Sequence, residues 1–253
     1  FVVAHYFGAK GLGNYVLAIV VLRIFTLVSK LGLDTFSIRF IASFAKQGKW
    51  KSIQLFRKKI ITIVSITSLI SSVVMFIFSF EIANLVNTRV EYIELSSFFV
   101  LPMVFFMLHY QSLRGLKRIA EFSFFYRMSQ ATFSIAGLFL ISQFIQSDKI
   151  PIYAYLTSLC TVSLLSYVSY YYWFNKKCNF DNSEEIEDLP LKKMLKISLP
   201  LMFAQSVQFI MAWTDKLMLG NMLGPESVAI YGVAFRFSMG VSITLMAINS
   251  IAS

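Results

Sequence analysis

Arg23, Lys30, Asp34, Asp215 and Arg236 lie inside long apolar runs. A charge carried into hydrocarbon is costly, so such residues mark a ligand site, an ion path or an interhelical pair. Guanidinium is the group best suited to phosphate, because its planar fork meets two oxygens at once and stays charged at any working pH. The bias of these intramembrane charges towards Arg and Lys points to an anionic ligand. Arg23 and Arg236 are therefore candidates to line a cationic cavity; the alternative for each is an ion pair with Asp34 or Asp215. Asp215 has three readings: coupling to H⁺ or Na⁺, tuning of the cavity arginines, or a pair with Arg236 that ties two helices together. Lys30 and Asp34 are four residues apart and can pair on one helix face, although Gly32 lies between them. Arg39 either snorkels to the cytoplasmic surface or faces the cavity mouth and contacts phosphate. Lys216 follows Asp215, about 100° further round a helix, and is expected to snorkel to the outer interface.

Other chemistry finds no footing. His5 and His109 are isolated, so no metal site is expected. Cys160 lies in an apolar segment and Cys178 in a charged loop, which reads as two unpaired thiols. There is no Walker A pattern and no Ser/His/Asp or Cys/His constellation. The chain is thus read as neither an enzyme nor a cofactor protein. An ion gradient or a partner would have to drive any work it does.

The elements that must position these charges are membrane helices. Hydrophobic residues make up 57% of the 253, charged residues 14%, and the mean hydropathy is +0.68. Soluble domains carry about 25% charged residues. The net charge of +10 sits in short clusters between apolar blocks, which excludes a nucleic-acid surface and fits cytoplasmic loops. A span needs roughly 20 apolar residues. Seven candidates follow, at 13–45, 60–80, 92–113, 122–145, 152–174, 197–222 and from 227 onward. The first is too long for one simple crossing, and the "KLGLD" around Gly32 predicts a break. Loop charge alternates. Lys46 to Lys59, Arg114 to Arg127, and Lys176 to Lys196 are basic, and the loops between are not. The positive-inside rule puts the basic loops in the cytoplasm and the residues before Gly13 outside. The acidic patch from Asp181 to Asp188 counts little in that rule. Tyr170 to Phe174 read as an aromatic belt at the inner face, with Trp213, Tyr153 and Tyr155 towards the outer one. Pro200 reads either as a helix-start marker or as a bend near a gate. The chain begins at Phe1 without a signal-peptide pattern and stops inside an apolar run, which reads as an internal piece of a longer protein.

There is also an internal repeat. "FGAKGLGNYVLAIVVLR" is echoed by "LGPESVAIYGVAFRFS": Gly8 aligns with Gly224, Ala9 with Pro225, Tyr15 with Tyr231, Ala18 with Ala234. Six spans separate the two, so the halves would run parallel, with a transport path between them. Arg236 then matches Val20, about one turn from Arg23.

"FGAKGLGNYVLA" followed by "LGLDTFSIRFIA", the stretch "HYQSLRGLKR", and "ISLPLMFAQSVQFIMAWTDKLMLGNMLGPESVAIYGVAFR" together resemble polysaccharide flippases of the Wzx type. Their superfamily also holds the MATE multidrug exporters and the lipid II flippase MurJ. The resemblance implies an all-α polytopic membrane fold of two six-helix bundles. Residues 1–178 would be the first bundle without its first helix, 179–196 a cytoplasmic linker, and 197–253 the first two helices of the second bundle. It implies a multi-pass protein of the bacterial inner membrane that moves an undecaprenyl-pyrophosphate-linked glycan. The bilayer, a polysaccharide polymerase and a chain-length regulator would be its partners, and nucleic acid would not. Gln205, Gln208 and Asn249 would meet the sugars or bond between helices. Two competing readings remain. A MATE-type drug/cation antiporter would favour acidic cavity residues. A membrane glycosyltransferase or polymerase would need larger outward loops than those around 81–91, 147–151 and 221–226.

Overall fold

The structure, a computed structural model, describes the backbone of residues 2–144, 147–178 and 187–252. It describes the side chains of residues 3–144, 147–178 and 187–238 among them. The side chain of Asn249 and most of the acidic patch lie outside what is described. Among those described, the regular structure is helical throughout: α1 (Val2–Ser29), α2 (Leu33–Lys46), α3 (Trp50–Ile77), α4 (Ser79–Val86), α5 (Val90–Ser97), α6 (Val100–Gly115), α7 (Ile119–Ser123), a π-helical turn (Phe124–Ser129), α8 (Gln130–Ser142), α9 (Ile150–Lys177), α10 (Leu191–Leu223) and α11 (Pro225–Ala252). Helices close their backbone hydrogen bonds within one segment, which hydrocarbon demands. Among the described residues α1, α3, α9 and α10 are long and apolar enough to cross a membrane. The pair α5–α6 makes a fifth crossing if read as one span bent by 52°. The chain is an all-α, polytopic membrane protein.

The lipid-facing surface is visible as periodicity. On α3, Ile66, Leu69, Ile70, Val73 and Ile77 are exposed, and Val64, Ser68 and Met75 on the other side are buried. That is one stripe at helical spacing, with its apolar side turned outward. The core gathers around α6, where Val100, Met103, Val104, Leu108 and Leu113 are buried against α2, α3 and α9.

The long first segment is broken where the spacing predicts. Leu31 and Gly32 take left-handed backbone at φ 49° and 70°, and the chain restarts as α2. Three other features depart from the sequence reading. The third span is bent between α5 and α6. The fourth passes through a π-helical turn, which holds an extra residue per turn. Pro200 does not mark a helix start, because α10 begins nine residues earlier at Leu191. It sits in the helix interior, where it withholds one backbone N–H.

The basic end is tied together by charge. Lys49 pairs with Glu187 at 2.8 Å, and Lys59 pairs with Asp188. Arg118 pairs with Glu121, and that hydrogen bond holds the Glu121 carboxyl below the usual carboxylate range. The opposite end is the one that the loop charges assign to the outside. There Lys149 pairs with Glu91, and the hydrogen bond raises the lysine above its ordinary value.

The repeat has a structural counterpart at the outer end. Gly8 stands at φ 67°, ψ −178° and Gly224 at φ 85°, ψ 176°. These are the same backbone state, one that glycine alone adopts readily. Each opens one of the paired repeat helices, the long run of α1 and the start of α11, and these two pack side by side. Gly13 makes the approach possible: a Cβ there would stand 1.8 Å from the carbonyl oxygen of Pro225. Backbone cannot move aside as a flexible side chain can. Gly13→Ala is therefore expected to cost about 1–3 kcal/mol of stability through overpacking. Gly137→Ala, whose nearest neighbour would be 3.3 Å away, is expected to cost much less. Thermal unfolding of the purified full-length protein, read by intrinsic fluorescence, compares the two.

Candidate functional site

Arg23 on α1 comes from a stretch whose neighbours Val20, Val21 and Leu22 are buried. The helix therefore holds its guanidinium on the side turned towards α10. The Cζ of Arg23 lies 5.1 Å from the ring centroid of Trp213. Lys216, three residues on along α10, places its Nζ 3.9 Å from the same centroid and 5.6 Å from that of Phe235 on α11. One indole thus serves two cations. A cation over an aromatic face gains roughly 0.5–2 kcal/mol, more when desolvated. Arg23 and Arg236 both lie close enough to act electrostatically on Lys216 and on Tyr15. Arg23 and Arg236 thus lie in one electrostatic neighbourhood with Lys216, and Arg236 is exposed.

No carboxylate pairs with Arg23, Lys216 or Arg236 among the described residues. The Nε of Arg23 is buried without a hydrogen-bond partner. Asp215 does not pair with Arg236, as one reading of the sequence has it. It accepts a 2.7 Å hydrogen bond from the Tyr231 hydroxyl instead. The Asp215 carboxylate acts on Lys216 from a distance but forms no ion pair, so one negative charge stands near three positive ones. A multivalent anion is the ligand such an arrangement suits, and phosphate oxygens suit the two guanidinium forks.

Lys216 and Trp213 are the residues that sequence reasoning missed. Lys216 turns onto the ring of Trp213, and Arg23 approaches the same ring. Their three-residue spacing on one face was the available signal. Tyr155 leaves the belt. It is buried, and its ring meets Tyr15 edge-on at 5.8 Å. Tyr170 is buried as well, with the Arg57 guanidinium 3.5 Å over its ring.

Lys30 and Asp34 form a second, separate site at the break between α1 and α2. The Lys30 Nζ donates to Asp34 Oδ2 at 2.7 Å, and the side chains are 11% and 3% exposed. The break does not prevent the pair; it lets the lysine fold back over the left-handed turn. Across from it, Gln205 on α10 donates to the Thr35 hydroxyl at 2.7 Å and to Asp34 Oδ1 at 3.5 Å. Gln205 thus bonds between helices. A Cβ at Gly32 would meet the Ser198 carbonyl oxygen at 2.3 Å, so α10 crosses the break in backbone contact two residues before Pro200. Arg39 is exposed one turn beyond Thr35 on α2, and Gln208 is exposed on α10. Neither joins the cationic cluster.

The family model described as "Polysaccharide biosynthesis protein" matches this chain over residues 1–253. No curated protein and no solved structure matches it.

The Lys30–Asp34 pair makes a sharp energetic forecast. Asp34→Asn strands a buried ammonium and is expected to cost about 3–5 kcal/mol. The double change Lys30→Met, Asp34→Leu removes both charges and is expected to recover most of that loss. Chemical denaturation of the purified full-length protein in detergent measures both; equal losses would show that the pair is not an electrostatic unit.

Proposed function

The chain belongs to the polysaccharide biosynthesis protein family, and from that premise we propose that it is a Wzx-type flippase. In this reading it carries an oligosaccharide linked to undecaprenyl pyrophosphate across the bacterial inner membrane by alternating access. The observation that supports the reading is the net positive cluster of Arg23, Lys216 and Arg236 between α1, α10 and α11. A pyrophosphate is a multivalent anion that such a cluster can hold below the membrane surface.

Each residue has its own part. While the site is empty, Trp213 receives Arg23 and Lys216 on its ring, which lowers the cost of keeping them desolvated. The arriving pyrophosphate takes the place of the ring. Tyr231 holds Asp215 away from the guanidinium groups, so the aspartate does not compete with the anion. The glycan extends towards polar side chains such as Gln208. Gly8, Gly32 and Gly224 provide backbone freedom where helices must change their angle, and Pro200 weakens α10 opposite Gly32. Binding in one state and release in the other follow if the cluster opens to opposite sides of the membrane in turn. The protein is a transporter in this account, not a catalyst. A polymerase and its chain-length regulator would use what it delivers.

Deletion of the full-length gene is expected to abolish long-chain surface polysaccharide on a gel, and the wild-type gene to restore it. The double variant Arg23→Ala, Arg236→Ala, inserted at normal level, is expected to remain at the deletion phenotype, and Lys216→Ala to restore it only in part. Unchanged polysaccharide together with raised drug sensitivity would reject this function in favour of a MATE-type drug/cation antiporter.

A further inference from the structure

Two recesses lie one above the other on the side of α1 that faces α4, away from the cationic cluster. The upper one, at the outer end, has a volume of about 400 Å³ and is lined by Lys10, Asn14, Asn87, Thr88, Arg89 and Glu226. The lower one has about 480 Å³ and an almost wholly apolar lining that includes Val21, Phe25, Leu85, Val86, Met218 and Met222. The two recesses adjoin through consecutive residues on two walls, and at the first of these polarity changes as well. Val86 lines the lower recess and Asn87 the upper, and Met222 lines the lower and Leu223 the upper. On the α1 wall the change falls between Asn14 and Val21, two turns or about 11 Å apart. The shape is that of an amphiphile standing in the membrane, with its head at the interface and its tail in hydrocarbon.

The charges of the upper recess select the head. Lys10 and Arg89 attract an anion, and Glu226 opposes one; for a cation the signs reverse. A ligand with a single charge of either sign meets repulsion, and one that carries both does not. We propose that the two recesses together bind one zwitterionic phospholipid from the leaflet at the outer end. Its phosphate meets Lys10 and Arg89, its ammonium meets Glu226, and an acyl chain lies along the groove below. Asn14 is fixed in the wall between them, 3% exposed, and its side-chain oxygen accepts a 3.0 Å hydrogen bond from Thr88. Asn221 closes the groove wall by donating to the Leu85 carbonyl at 2.6 Å. The site draws on α1 and the α4–α5 turn of the first repeat and on the α10–α11 turn of the second. A lipid seated there joins the outer ends of the two repeats.

The test uses the full-length protein reconstituted in bilayers of equal parts phosphatidylethanolamine and phosphatidylglycerol, extracted gently and weighed by native mass spectrometry with its retained lipids. The wild type is expected to retain phosphatidylethanolamine at several times the level of phosphatidylglycerol. Glu226→Gln, at an exposed position, is expected to lose that preference. Met218→Trp, which fills the groove and leaves the upper recess intact, is expected to lose the same lipid. Leu164→Trp, on the lipid face of α9, is expected to keep it. Preference that persists in Glu226→Gln, or retention of phosphatidylglycerol by the wild type at a level equal to or above that of phosphatidylethanolamine, overturns the proposal. So does displacement of phosphatidylethanolamine by undecaprenyl phosphate doped into the bilayer, which would give the recesses to the carrier lipid. If Met218→Trp fails to fold, Glu226→Gln alone decides.

Discussion

Every ionisable group carried below the membrane surface has to be received by something, because lipid tails offer no hydration. The helices of this chain are arranged around how that is done. Lys30 is received by Asp34, Asp215 by the Tyr231 hydroxyl, Arg57 by the Tyr170 ring, and Arg23 and Lys216 by the ring of Trp213. Four of these five contacts use a neutral partner. An ion pair would extinguish the charge, whereas an indole or a phenol ring lowers its cost and leaves it available. The distinction separates the closed pair at the helix break from the open cluster between α1, α10 and α11.

Close backbone approach is the second device, and it sets where those groups can meet. Lipid supplies no hydrophobic force between helices, so packing and small residues take over. Gly13 admits Pro225, Gly32 admits Ser198, and Gly220 admits Leu17 and the Val86 carbonyl. These contacts fix α1 against α11 at one end and against α10 along its length. The distance from Arg23 to Trp213 is a consequence of that clamp, since neither residue lies on a loop that could adjust.

Much of this was legible beforehand, for physical reasons. The break at Gly32 followed from a segment too long for one crossing, and the Lys30–Asp34 pair from four-residue spacing. The repeat was legible because Gly8 and Gly224 share a backbone state that only glycine adopts readily, so the residue type survives where neighbours drift. The partner of Asp215 was not legible. A charge alternation suggests Arg236, and only the rotation of α11 about its axis decides for Tyr231. The ring that receives Lys216 was hidden for the same reason: spacing relative to Asp215 gives an angle, but not the direction that angle is measured from. The bend between α5 and α6 was legible in Pro102, which has no N–H to give the Phe98 carbonyl four residues back.

The π-helical turn at Phe124–Ser129 sets how this chain tolerates changes in length. Such a turn carries one residue more than an α-helical turn needs. Loss of a single residue there would convert it to α-helix and leave the faces of α8 in register with α9, including the bonds from Gln130 and Ser134 to Ser158. The same loss within α9 would rotate everything beyond it by about 100° and carry Tyr170 away from Arg57. Insertions and deletions among natural variants of this span should therefore gather at these six positions, a slack link in an otherwise inextensible chain of turns.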